Sequence, residues 1–212
     1  MEKKITALET QKRNPDRLNV FLNDEFAFGI SKFVGAWLCV GQSISQEKIT
    51  ELTRQGEREQ AFQQALHFIG YKSRTIHEVK KKLDTAGFSP EIIEDVIFEL
   101  KEKSYLDDQD FARQWAEIRS ASKPRSRFLL ALELKKKGVS EDVIHAALSS
   151  IPEDEALAFE FGKRYLRRLM NADQADFIKK MTSALQRKGF SYQIAANVAG
   201  NLEKQRLLQN EK

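Results

Sequence analysis

The chain holds 212 residues, enough for one or two ordinary domains, of which 41% are hydrophobic and 31% charged. That charge load suits helices that bury one face and leave the others wet, and a net charge of +4 is too small to name an acidic partner by itself. A single cysteine, Cys39, excludes an intramolecular disulfide, and no stretch approaches the roughly 18 apolar residues of a membrane-spanning helix.

The first residues, MEKKITALE, lack the apolar run of a secretory signal. With the lone thiol, this points to a reducing, cytoplasmic compartment. Residues 17–30, RLNVFLNDEFAFGI, place strand formers on both sides of Asn23-Asp24, which predicts a β-hairpin with a two-residue turn. Ile5–Glu9 offers a third strand. From Lys32 to Leu52 the pattern is read as helical, with Ser45 capping a segment that starts near Gln46. Cys39 in its apolar run, and Trp37 beside it, are expected in the core, as is Trp115.

Beyond this point the sequence repeats. Gly87, Gly138 and Gly189 are spaced 51 and 51 residues apart. Four residues before each stands Leu83, Leu134 or Leu185, and two after each stands Ser89, Ser140 or Ser191. The serines introduce matched apolar series, beginning at Ile92, Val143 and Ile194 and ending at Leu100, Ile151 and Leu202. Such spacing forms one stripe on a helix. The serines act as N-caps, Pro90 fits a first helical position, and the glycines close the preceding helix in a left-handed conformation. A middle helix is expected over about Ile76–Ala86, with Thr75 and Glu78 spaced as a capping box. Its counterparts carry Leu130 and Leu134, then Ile178, Met181 and Leu185. A first helix precedes each, through Ala61, Ala65, Phe68 and Ile69, then Phe111, Ala112, Trp115 and Ala116, then Phe159, Phe161, Tyr165 and Leu169.

The expected architecture is mostly α, with three tandem three-helix repeats in an elongated curved stack and a small N-terminal β-hairpin element. The expected divisions are 1–44 for the hairpin element and lead-in, 45–105 for a linker helix and repeat 1, 106–152 for repeat 2 and 153–212 for repeat 3.

Positive charge recurs with the repeat. Lys72–Lys82 has five basic residues against one acidic, and Arg113–Gly138 and Lys163–Lys188 each have eight against two. Phe88–Asp110 reverses this, with eight acidic against two basic. A recurring positive surface fits nucleic acid or an acidic protein groove, whereas any single lysine is more simply a solvated helix face or an answer to the helix dipole. His67, His77 and His145 lie on different predicted helices, and there is no zinc motif, phosphate-binding glycine loop or nucleophile elbow. Asp107-Asp108 reads as a helix cap. No catalytic residue, metal or cofactor is assigned, and binding is the expected activity.

Three stretches carry a resemblance: LDDQDFA (106–112) after Tyr105, KSRTIHEVKKKLDTAGF (72–88) and PRSRFLLALELKKKGV (124–139). They resemble the RecX family, regulators of the recombinase RecA, over about residues 57–207 and more loosely over the hairpin. Thr75 stands where that family more often has serine, Arg127-Phe128 departs from its usual arginine–isoleucine arrangement, and repeat 3 conforms less closely in its first helix. The resemblance implies a monomer that binds within the groove of the RecA–DNA filament and suppresses ATPase, filament growth and strand exchange. The residues expected to contact filament or DNA are Arg74, Lys80, Lys81, Arg119, Arg125, Lys136 and Lys137. The alternative is direct binding of single- or double-stranded DNA by the helical repeats.

Overall fold

A computed structural model of the chain describes residues 2–12 and 14–210. The chain forms two compact units, Met1–Leu106 and Asp107–Lys212.

In the first unit four strands form an antiparallel sheet: β1 (Lys3–Gln11), β2 (Asn14–Leu22), β3 (Glu25–Ser31) and the short β4 (Ser43–Ile44), in the order β3-β2-β1-β4. The β2–β3 turn is Asn23-Asp24, with φ of 50° and 67°. Two successive positive φ angles are what a tight hairpin turn demands, and Asn and Asp tolerate them. One face of the sheet buries Ile5, Val20, Leu22, Phe28 and Ile30 against Ile49 and Leu52 of the first helix.

That helix, α1 (Gln46–Tyr71), is capped by Ser45, whose hydroxyl accepts from the Lys48 N–H at 3.3 Å. It is one continuous helix of 26 residues, joining the sheet to the repeats without a break. Residues 32–45 differ from the helical expectation. They contain a single 3-10 turn at Val34–Trp37, then the β4 strand that closes the sheet edge. The four-residue turn cannot propagate because Leu38 is already extended. As a result Cys39 is exposed and Trp37 is half-exposed, so neither is a core residue.

Helices α2 (Ile76–Thr85) and α3 (Pro90–Glu102) complete the first unit. Thr75 and Glu78 form the reciprocal capping box, with both bonds present. Ala61 and Ala65 of α1, Val79 and Leu83 of α2, and Ile92, Ile93, Val96, Ile97 and Leu100 of α3 share one core. At about 1.5–3 kcal/mol for each large side chain, this burial holds helices too short to stand alone.

The second unit holds α4 (Asp108–Ser122), α5 (Arg127–Lys136), α6 (Glu141–Ser149), α7 (Asp154–Leu166), α8 (Gln174–Gln186) and α9 (Tyr192–Asn210). One core joins all six helices, with Leu130, Leu134, Phe177, Met181, Leu185 and Leu202 among its most enclosed side chains. Asp107 caps α4, accepting from Gln109 and Asp110 N–H, as its position before the helix suggests. Trp115 is half-buried against this core.

The three repeat glycines have φ of +87°, +78° and +83°, each ending its middle helix in the left-handed region. Gly189 is further constrained: a Cβ there would overlap Ser126 and Leu129 side-chain atoms, where the Ser126 N–H donates to the Lys188 carbonyl at 3.0 Å. Of the three serine caps, Ser89 and Ser191 accept from the N–H three residues on, whereas Ser140 has the cap conformation but no side-chain bond. The α7 helix also departs from expectation. Its buried face is Leu157, Ala158 and Gly162, while Phe159, Phe161 and Tyr165 are only half-buried.

Candidate partner-binding surface

The basic residues singled out by the repeat do not share one environment. In the first unit, Arg74 lies with its guanidinium 3.9 Å from the Phe68 ring centroid and 4.0 Å from the Glu78 carboxylate. Lys80 reaches Glu94 at 2.5 Å. Lys81 is exposed and pairs with no described residue. Arg74 therefore braces the start of α2, and Lys81 presents its charge to solvent.

The second unit repeats this division of labour. Phe111 and Trp115 stack, with ring centroids 5.7 Å apart. Arg119 lies 4.5 Å from the Trp115 centroid, and Lys137 lies 4.9 Å from the same ring and 5.3 Å from Phe111. Glu133 sits among these groups. It binds Arg125, lies 3.8 Å from Arg119 and accepts from the Trp115 indole Nε1 at 3.1 Å. Arg119, Arg125 and Lys137 are thus committed to an aromatic and carboxylate cluster, whereas Lys136 is exposed and unpaired among the described residues. Lys135 is drawn toward Glu141 at 2.7 Å, and that hydrogen bond holds the lysine above and the glutamate below their ordinary pKa values.

Two further arginines, which the repeat pattern does not single out, are the best enclosed. Arg17 of β2 donates through Nη2 to the carbonyls of Gly29, at 3.0 Å, and Gly56, at 3.1 Å. Arg206 of α9 donates to the carbonyls of Leu169, Met170 and Ala172 at 3.2, 2.9 and 2.6 Å, and pairs with Glu203 at 2.8 Å. These are structural tethers. The signal for Arg206 is its spacing from Glu203 on a helix face shared with Leu202 and Val198. Among the described residues no group of three or more His, Cys, Asp or Glu side chains could hold a metal ion. No helix among them is long and apolar enough to cross a membrane.

Residues 3–45 match the regulatory protein RecX N-terminal domain, 61–100 the first three-helix domain of RecX and 107–148 the second. Regulatory protein RecX of Bacillus subtilis is 31% identical over 203 residues, covering 94% of this chain and 77% of that protein. The chain belongs to the RecX family. Regulatory protein RecX of Clostridium botulinum (strain Alaska E43 / Type E3) is 32% identical, covering 92% of this chain and 94% of that one. Two RecX crystal structures share the fold. One superposes with a TM-score of 0.66 at 23% identity, covering 91% of this chain and 96% of its own. The other, from Lactobacillus salivarius, gives 0.59 at 21% identity, covering 69% and 97%. The RecX three-helix domains account for the C-terminal part of α1 with α2 and α3, and for α4 through α6. RecX proteins are regulators and not enzymes.

Proposed function

We propose that this protein regulates the RecA recombinase by binding the RecA–DNA filament and restraining its ATPase, its extension and its strand exchange, so modulating homologous recombination and DNA repair. Membership of the RecX family across nearly the whole chain carries this reading. The surface chemistry supports it: each unit sets an exposed lysine, Lys81 or Lys136, beside a cluster that rigidifies the helix bearing it. In this reading Lys80, Lys81 and Lys136 meet acidic filament surface or DNA phosphate, and Arg74, Arg119, Arg125 and Lys137 hold the presenting helices in place. The protein acts as a monomer in the cytoplasm.

The test is the single-stranded-DNA-dependent ATPase of the host RecA, titrated with this protein. The rate falls at substoichiometric protein. Lys81→Glu with Lys136→Glu weakens that inhibition while circular dichroism stays native. An ATPase rate unmoved by the wild-type protein overturns the proposal.

A further inference from the structure

The cluster around Glu133 has a counterpart in the last repeat, and the counterpart lacks its anion. Phe161 and Tyr165 of α7 stack with centroids 5.7 Å apart, as Phe111 and Trp115 do on α4. Arg168 lies 5.6 Å from the Tyr165 ring, as Arg119 lies over Trp115. Lys188 lies 5.6 Å from Phe161, and stands before Gly189 as Lys137 stands before Gly138. In the repeat frame, however, the residue at the place of Glu133 is Ala184.

Beside this position lies a cleft of about 520 Å³, with Ala184, Phe161 and Tyr165 in its wall. Its remaining wall is strongly basic. Lys123, Arg168, Arg187 and Lys188 line it without an ion pair to any described residue, and Arg164 donates to the carbonyls of Ala121 and Ser122 at the end of α4. Among the described residues no carboxylate lines the cleft. The neighbouring Asp176 is neutralised by Lys180 at 2.8 Å. Concentrated positive charge without an internal counter-ion lowers the cost of bringing in an external anion.

We infer that this cleft between α7 and α8 is a binding site for the phosphodiester backbone of single-stranded nucleic acid. Unpaired cations supply the phosphate contacts, and the half-buried aromatic pair supplies a face for an unstacked base. That combination of charge and stacking is how strands are held without reading sequence. The site is separate from the lysines of α2 and α5 and does not rest on the recombinase reading.

The experiment is fluorescence anisotropy of a labelled oligothymidylate with the full-length protein and no recombinase, at several salt concentrations. Ala184→Glu restores the internal anion and abolishes binding, whereas the uncharged Ala184→Gln retains it. Should the buried glutamate prevent folding, Arg168→Ala with Lys188→Ala decides the matter. That pair weakens binding about tenfold and lowers the salt slope by about 1.4, because each phosphate contact on a single strand contributes about 0.7. Wild-type affinity and slope in the double variant overturn the site. Equal binding of a blunt duplex, or displacement of the oligonucleotide by a nucleoside triphosphate at matched phosphate concentration, overturns the assignment to a strand.

Discussion

In the first unit α1 meets the sheet backbone to backbone, since a Cβ on Gly56 would overlap the Gly29 carbonyl oxygen and approach Ile30 Cα. In the second unit the close approach of α7 to α9 is at Gly162, and there a Cβ would meet the δ-methyl of Leu202. Both glycines lie inside helices, where alanine would ordinarily be favoured by about 1 kcal/mol. The obstacles differ in what can yield. A strand carbonyl is fixed by its sheet, whereas the end of a leucine side chain can change rotamer. The units also use their buried arginines differently. Arg17 joins two regular elements, while Arg206 holds an irregular stretch that no helix or strand ladder satisfies.

The sharpest break in this comparison is at Arg206. Arg206→Ala strands the Glu203 carboxylate and the Met170 and Ala172 carbonyls, while Leu169 keeps the Ala172 N–H, and is expected to destabilise by about 3–5 kcal/mol. Arg17 has one distant carboxylate partner, Glu59 at 3.8 Å, so Arg17→Ala should cost less in the same denaturant titration. An equal or larger loss at Arg17 would reverse the contrast between the units.

Next come the two glycines. Gly56→Ala is expected to cost about 3 kcal/mol as an overpacking strain against backbone. Gly162→Ala should stay within about 1 kcal/mol, because Leu202 can move and the helix gains propensity. Thermal unfolding of the two variants measures the difference directly. If they prove equal, the sheet is softer than its hydrogen bonds imply.

Smaller effects separate the helix caps. Thr75→Ala breaks a complete capping box and should cost about 1 kcal/mol. Ser140→Ala removes no side-chain bond, so its midpoint in urea should scarcely move.

The smallest effect is electrostatic. The Asp176 carboxyl is held below its ordinary pKa by its hydrogen bond to Lys180 and then by the charge of that lysine. A depressed carboxylate stabilises the fold above its unfolded pKa and loses that contribution as pH falls through the folded value. Lys180→Met should move the Asp176 midpoint upward toward the ordinary aspartate range in an NMR titration. The exposed setting keeps the accompanying change in stability slight.

Much of the fold is local chemistry and could be read directly. Thr75 and Glu78 form the box their spacing promised, Asn23-Asp24 makes the hairpin turn, and the glycines at 87, 138 and 189 end helices in the left-handed region. Segment 32–45 was less legible, since its apolar residues suit a helix but tertiary pairing of Ser43–Ile44 with β1 decides its course. That pairing also leaves Cys39 and Trp37 outside the core. Repeat 3 shifts for a packing reason. At the frame position of the buried caps Thr75 and Ser126 it carries Phe177, which is fully enclosed, so α8 begins earlier and takes Asp173 as its cap.

The sequence by itself determined the helix repeat, its caps and turns, the hairpin and the recurrence of positive charge, because each depends on residues within a few positions of one another. Tertiary structure decided which of those charges remain free. Glu133, on another helix, gathers Arg119, Arg125 and the Trp115 indole, and at the same frame position Ala184 stands in the wall of a basic cleft. Charge density is written along the chain, but its neutralisation depends on distances that exist only after folding.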